Sequence, residues 1–301
     1  MVKAIKNLRL KIQLLWMLLS NSFIKGFVEG KIYDGKLKSL CLPGLNCYSC
    51  PGSLGSCPIG ALQAVLSSPK YKFSFYLAGF FLAVGTFLGR AVCGYLCPFG
   101  LIQELLHKIP FVKKIKSFHG DRLLRYAKYL ILLVFVILLP MFAVDAAGNG
   151  APWFCKWICP AGTLEGGIPL VFSNPALQSA VGFLFRWKIS ILVITIIGSI
   201  IIYRPFCKYI CPLGAVYALF NHVSIYRYSC DKEKCTGCGL CKKACPMNIH
   251  PAKETNHAEC VRCGKCKSVC PETAISSGFK KAGGEAKQPE NKAEAPPRKA
   301  R

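Results

Sequence analysis

Arg204-Pro205-Phe206-Cys207-Lys208-Tyr209-Ile210-Cys211-Pro212-Leu213-Gly214 closes one apolar run and opens another. Its twin is Arg90-Ala91-Val92-Cys93-Gly94-Tyr95-Leu96-Cys97-Pro98-Phe99-Gly100. Both read Arg-x-x-Cys-x-x-x-Cys-Pro-x-Gly. A third copy, Cys155-Lys156-Trp157-Ile158-Cys159-Pro160-Ala161-Gly162, lacks only the Arg. The fourth, Cys57-Pro58-Ile59-Gly60, has Ser53 where the first Cys would fall, with Cys47 and Cys50 just upstream to supply the missing thiolate. Cys-x-x-x-Cys sets two sulfurs on one side of a turn, the Pro ends regular hydrogen bonding, and the Gly permits a tight bend. The motifs read as iron–sulfur ligands at the ends of membrane helices. Structural zinc, disulfides or buried thiols that merely pack are the competing explanations.

Composition points the same way. The 301 residues are 52% hydrophobic, yet they carry a formal charge of +25 and 19 Cys. A membrane protein reconciles apolarity with charge by sorting them into spans and loops. Nucleic acid is not expected as a partner, because there is no groove-reading motif and the basic residues flank apolar runs. The thiol spacings are those of metal ligands rather than of a small disulfide scaffold. No small-residue cleavage site follows the first apolar run, so a cleavable signal peptide is not expected.

Four spans are expected: Leu10–Val28, Phe73–Gly89, Tyr129–Val144 and Ile189–Tyr203. Ile168–Phe185 is broken by Asn174-Pro175 and reads as interfacial. From Arg90 to Lys128 there are eight basic residues against Glu104 and Asp121; from Ala146 to Arg186 there are only Lys156, Arg186 and Glu165. The positive-inside rule then puts both termini in the cytoplasm and the third loop outside. Lys31, Lys36, Lys38, Lys70 and Lys72 run against that order. Trp153, Trp157 and Trp187 fall at the outer interface.

With this topology each half reads span, outer motif, span, inner motif, a parallel repeat about an axis along the membrane normal. The fold class is therefore an α-helical integral membrane protein (residues 1–228), with about four transmembrane helices as a parallel two-fold internal repeat. Symmetry brings Cys93, Cys97, Cys207 and Cys211 together, a ligand set for one [4Fe–4S] cluster. Arg90 and Arg204 would offset its negative charge. The outer face gathers Cys57, Cys155 and Cys159 with Cys47 or Cys50, and Cys41 in reserve, for a further cluster or a disulfide.

The remaining chain carries the densest signal. Cys235-x-x-Cys238-x-x-Cys241-x-x-x-Cys245-Pro246 is repeated as Cys260-x-x-Cys263-x-x-Cys266-x-x-x-Cys270-Pro271. This is the bacterial two-cluster ferredoxin pattern, in which the fourth Cys of each run ligates the other cluster. One [4Fe–4S] cluster takes Cys235, Cys238, Cys241 and Cys270, and the other takes Cys260, Cys263, Cys266 and Cys245. A zinc ribbon would use only four of these eight thiols. Residues 229–276 form this separately folded two-cluster domain, Cys230 is left over, and residues 277–301 read as a disordered basic tail. None of the five His lies within a span, so no bis-His haem is expected inside the bilayer. No nucleotide or hydrolase fingerprint stands out.

The paired Arg-x-x-Cys-x-x-x-Cys-Pro-x-Gly motifs, the four spans and the double ferredoxin run resemble the NapH-type membrane polyferredoxins, quinol-dehydrogenase membrane subunits. The related polyferredoxins of cytochrome oxidase assembly share the motifs. The resemblance covers roughly residues 10 to 275 and implies an electron-transfer subunit of an oxidoreductase in a prokaryotic plasma membrane. It also implies ligand roles for the inner and ferredoxin Cys. The outer Asn46–Pro51 and Cys155–Pro160 stretches go beyond the family's two-motif core. The expected function is electron passage between a cytoplasmic redox partner, the quinone pool and an extracytoplasmic partner. The rival is an assembly factor that reduces copper, iron or a disulfide of an extracytoplasmic enzyme. A metal-storage or sensing protein is the third reading.

Overall fold

A computed structural model describes residues 2–68, 74–110, 113–146, 149–179 and 181–279. Lys70, Lys72 and everything beyond Phe279 lie outside the described residues. Among the described residues, two helices are long and apolar enough to cross a bilayer, Asp121–Phe142 and Phe183–Ile201. At about 1.5 Å per residue they reach roughly 28–33 Å, the thickness of a hydrocarbon core. Phe75–Leu88 is apolar but has only 14 residues. The expected Leu10–Val28 span is not one helix. Val2–Ser20 stops where the Ser20 hydroxyl and the Asn21 amide turn back onto the Trp16 and Met17 carbonyls, and a separate Lys25–Glu29 turn follows. Such side-chain bonds compete with continuation of the helix.

Proline shapes the two widened helical stretches. Leu132–Leu138 and Thr163–Gly167 are π-helical, and each runs up to a proline two residues on, Pro140 and Pro169. Proline offers no N–H and its ring crowds the carbonyl four residues back, so the turn before it opens. The Ile168–Phe185 stretch is broken as expected from Asn174-Pro175, into Ile168–Ser173 and Pro175–Ser179. Trp153 and Trp157 stack with ring centroids 6.2 Å apart, and the Trp187 indole donates to the Trp157 carbonyl at 3.1 Å.

Each of the four Cys-Pro-x-Gly motifs opens a helix with the Pro in its first turn: Pro58–Leu66, Pro98–His107, Pro160–Gly162 and Pro212–Phe220. There the missing N–H costs nothing. The ferredoxin unit is wider than residues 229–276. An antiparallel pair, Tyr226–Cys230 with Ile275–Phe279, closes it, so Ser277, Gly278 and Phe279 belong to a strand and not to a tail. One core runs through the molecule without interruption, from Cys57, Phe154 and Cys159 past Cys93, Cys97, Phe206, Cys211 and Tyr217 to Cys245 and Cys260.

Candidate iron–sulfur centres

The inner motifs meet across the two halves. Cys97 and Cys211 sit at helix N-termini, where their sulfurs accept the N–H of Gly100 and Gly214 at 3.3 and 3.4 Å. Burial pushes the Cys97 thiol up, and the nearness of Cys207 and Cys93 raises it further. Cys211 is raised by burial and then by Cys207, Cys93 and Cys97. A polycationic iron–sulfur core would hold these apposed thiols as thiolates. The two arginines are exchanged between halves: Arg90 Nη2 donates to the Cys207 carbonyl at 3.2 Å, and Arg204 Nη1 donates to the Cys93 carbonyl. Both guanidinium groups are fully buried. Arg204 holds a left-handed backbone (φ 49°), a strained state for a non-glycine residue. Glu104 fixes its side chain at 2.8 Å and also binds Arg9. Burial works to raise the Glu104 carboxyl, but Arg204 and Arg9 win and hold it at about 2.

The outer set encloses a cavity of about 350 Å³ lined by Cys47, Cys57, Cys155 and Cys159, with Lys156 and Lys188 beside them. Cys50 is not among the lining residues; its thiol turns to Asn21 Oδ1 at 3.7 Å. Cys41 is also elsewhere, bridged to Ser56. Cys159 repeats the inner pattern by accepting from the Gly162 N–H at 3.4 Å. Gly162 lies against both sulfurs: a Cβ there would stand 3.7 Å from Cys47 Sγ and 3.9 Å from Cys159 Sγ, in van der Waals contact with each. Burial, followed by the Glu165 charge, raises the Cys47 thiol to about 12. No disulfide pairs any of the nineteen cysteines.

One loop connects the two sets. Leu45 lines the outer cavity while its main chain hydrogen-bonds the inner Cys97 thiol. A Cβ on the neighbouring Gly44 would fall 2.6 Å from the Leu96 carbonyl, a contact only glycine tolerates.

In the ferredoxin unit Cys235, Cys238, Cys241 and Cys270 line one recess. Cys245, Cys260, Cys263 and Cys266 line a second. The fourth Cys of each run thus reaches the other run's recess. Gly239 and Gly264 both take left-handed conformations ahead of short helices, which bring the next Cys inward. Cys230 lies near Cys235 but does not line either recess. In the outer cavity the four thiols surround a sizeable space. Among the described residues, no three His, Cys, Asp or Glu side chains close on a single ion.

The second recess is docked against the inner motifs. Glu259 pairs with Arg90 at 2.6 Å and also with Lys128; the basic pair is wholly buried. Burial would raise its carboxyl, but these two cations hold it at about 2. Arg262, also buried, donates to the Leu88 carbonyl at 2.8 Å, the Asn221 carbonyl at 2.9 Å and Ser224 Oγ at 2.5 Å. A Cβ at Gly94, between Cys93 and Cys97, would fall 2.3 Å from the Val261 carbonyl. Glu259 and Arg262 escaped motif reading, although their places beside Cys260 and Cys263 were a signal.

Comparison with known proteins agrees with this chemistry. Residues 72–118, 129–168 and 184–225 match one profile described as "4Fe-4S binding domain", and residues 231–249 match another. An uncharacterized protein of Methanocaldococcus jannaschii is 30% identical over 179 residues, 57% of each chain. The regulatory protein NosR of Stutzerimonas stutzeri is 27% identical over 174 residues, covering 57% of this chain and 22% of that one. The methylamine utilization ferredoxin-type protein MauN of Paracoccus denitrificans is 25% identical over 186 residues, 60% of this chain and 56% of its own. The chain therefore spans less than two thirds of the length of these relatives. No solved structure matches it. The chain carries 4Fe-4S ferredoxin-type domains and is homologous to ferredoxin-type proteins.

Proposed function

We propose that this chain is a membrane-embedded electron-transfer protein holding four [4Fe–4S] clusters. The observation that carries the proposal is the single core in which outer thiols, inner thiols and the second ferredoxin recess follow one another. Each cluster, when bound, supplies a one-electron couple. Cys47, Cys57, Cys155 and Cys159 bind on the outer side, and Cys93, Cys97, Cys207 and Cys211 bind on the inner. Cys245, Cys260, Cys263 and Cys266 form the next set, and Cys235, Cys238, Cys241 and Cys270 the last. Arg90 and Arg204 offset the thiolate charge. The Gly100, Gly162 and Gly214 N–H groups hold sulfur lone pairs in place. Packed apolar side chains between the sets exclude water.

A bilayer suits the distribution of side chains. Along Val2–Ser20 the polar Arg9 and Gln13 are buried while Leu8, Leu15, Leu18 and Leu19 face outward. Leu130, Leu133, Phe142, Ile194 and Ile197 are exposed on the two long helices. Apolar groups outward and charges inward is the order expected in lipid. Val2–Ser20 and Phe75–Leu88 complete a four-span arrangement with parallel halves, which the exchanged arginines support. Reporter fusions in the plasma membrane of a prokaryotic host test it: one after Lys114 should read cytoplasmic and one after Phe172 external. An external signal after Lys114 overturns it.

Quinone is proposed as a membrane electron donor or acceptor, in the manner of a quinol-dehydrogenase subunit. Purified protein should mediate steady electron transfer between a low-potential donor and a quinone analogue. The outer cavity, about 350 Å³ against about 30 and 20 Å³ for the ferredoxin recesses, favours a second reading. In that reading the outer side reduces the metal or disulfide of an external partner as an assembly factor. Turnover with such a partner and none with quinone would select it.

A further inference from the structure

Gln63 and Gln103 occupy matching places, each six residues after the Cys of a Cys-Pro pair, and both are buried. Gln103 Nε2 donates to Cys207 Sγ at 3.2 Å, while its Oε1 accepts the Phe206 N–H at 3.2 Å. Gln63 Nε2 donates to Cys155 Sγ at 3.2 Å, and its Oε1 accepts the Phe154 N–H at 3.0 Å. The second N–H of each amide goes to its own helix, to Phe99 O at 3.4 Å and Ile59 O at 3.3 Å. The arrangement fixes the amide orientation. A main-chain N–H can only meet the amide oxygen, so the NH₂ must face the sulfur. Each glutamine thus reaches from the first half of the chain to the first Cys of a second-half motif. The same positions in the second half hold Glu165 and Tyr217, which reach back to the Cys47 N–H at 2.7 Å and the Pro43 carbonyl at 2.9 Å.

We infer that Gln63 and Gln103 are a matched pair of potential-setting residues, one for the outer centre and one for the inner. The inference rests on the reading that these thiols hold four-iron clusters. A donor to a ligating sulfur stabilises the form carrying more negative charge, which is the reduced form. In a buried, low-dielectric site one such bond weighs more than in water. Each amide therefore raises the potential of its own centre and leaves the other alone. Because Oε1 also holds the peptide before the Cys, a structural role must be separated from an electrostatic one. Gln→Met removes donor and acceptor alike, whereas Gln→Glu keeps an acceptor for that peptide and, when ionised, puts a negative charge in place of the NH₂ donor.

The test is an EPR-monitored redox titration of the full-length protein in detergent. The inner and outer signals are assigned by their loss in Cys207→Ser and Cys155→Ser. Gln103→Glu and Gln103→Met should retain their iron and make the inner couple harder to reduce. The expected change is about tenfold in the reduced-to-oxidised ratio, or about 59 mV for one electron. The outer couple should not move. Gln63→Glu and Gln63→Met should show the reverse selectivity. Full iron with unmoved potentials overturns the inference, as does a shift of both couples alike. Loss of the centre in both variants also overturns it, in favour of a purely structural brace. Absence of any iron–sulfur signal in the unaltered protein would instead overturn the reading beneath it.

Discussion

Replacing Cys93 by Ser should abolish the same centre as replacing Cys207 by Ser, and the double variant should lose nothing more. The expected loss is about four of about sixteen iron atoms per chain in all three proteins. The reason is ligand count. Neither half offers more than two inner thiols, and the exchanged Arg90 and Arg204 bonds bring the two pairs into one buried site. Iron analysis and EPR decide it; additive losses in the double variant reject a shared centre. The outer set follows the same logic with an internal control. Cys47→Ser and Cys155→Ser should each cost the outer centre, whereas Cys50→Ser should spare it, because that thiol faces Asn21. Loss of the outer centre in Cys50→Ser alone would exchange the two assignments.

Substituting Glu259 by Gln should loosen the ferredoxin unit from the rest of the protein. The carboxylate is shared between Arg90 and Lys128, and both cations are buried. Removing the anion leaves two charges in low dielectric without a counter-ion. Breaking a buried pair costs about 3–5 kcal/mol, a factor of at least 10² in an equilibrium. Limited proteolysis should therefore release a fragment containing Tyr226–Phe279 from the variant under conditions that leave the unaltered protein intact. Equal resistance in the two proteins would mean that Arg262 and Asn221 carry the docking alone.

What the sequence disclosed divides along physical lines. Ligand spacing is local chemistry, so the inner Cys quartet, the two ferredoxin quartets and the Cys-Pro helix starts could be listed from the letters. The choice between Cys47 and Cys50 could not, because both lie three residues apart in an irregular loop and only packing orients them. The length of the first apolar run was legible but its break was not. That break depends on Ser20 and Asn21 bonding back to the helix they end. The Tyr226–Cys230 strand was missed since its partner lies more than forty residues on, beyond any local period. Glu259 and Arg262 belong to no motif of their own. Their burial arises only where the ferredoxin unit docks on Arg90, Lys128 and the Leu88 carbonyl.

The most direct measurement is iron and acid-labile sulfide per chain, together with EPR of the reduced, membrane-extracted protein. Four cubane clusters require about sixteen iron and about sixteen sulfide with signals from interacting spins. A colourless protein carrying zinc and no labile sulfide would contradict the account.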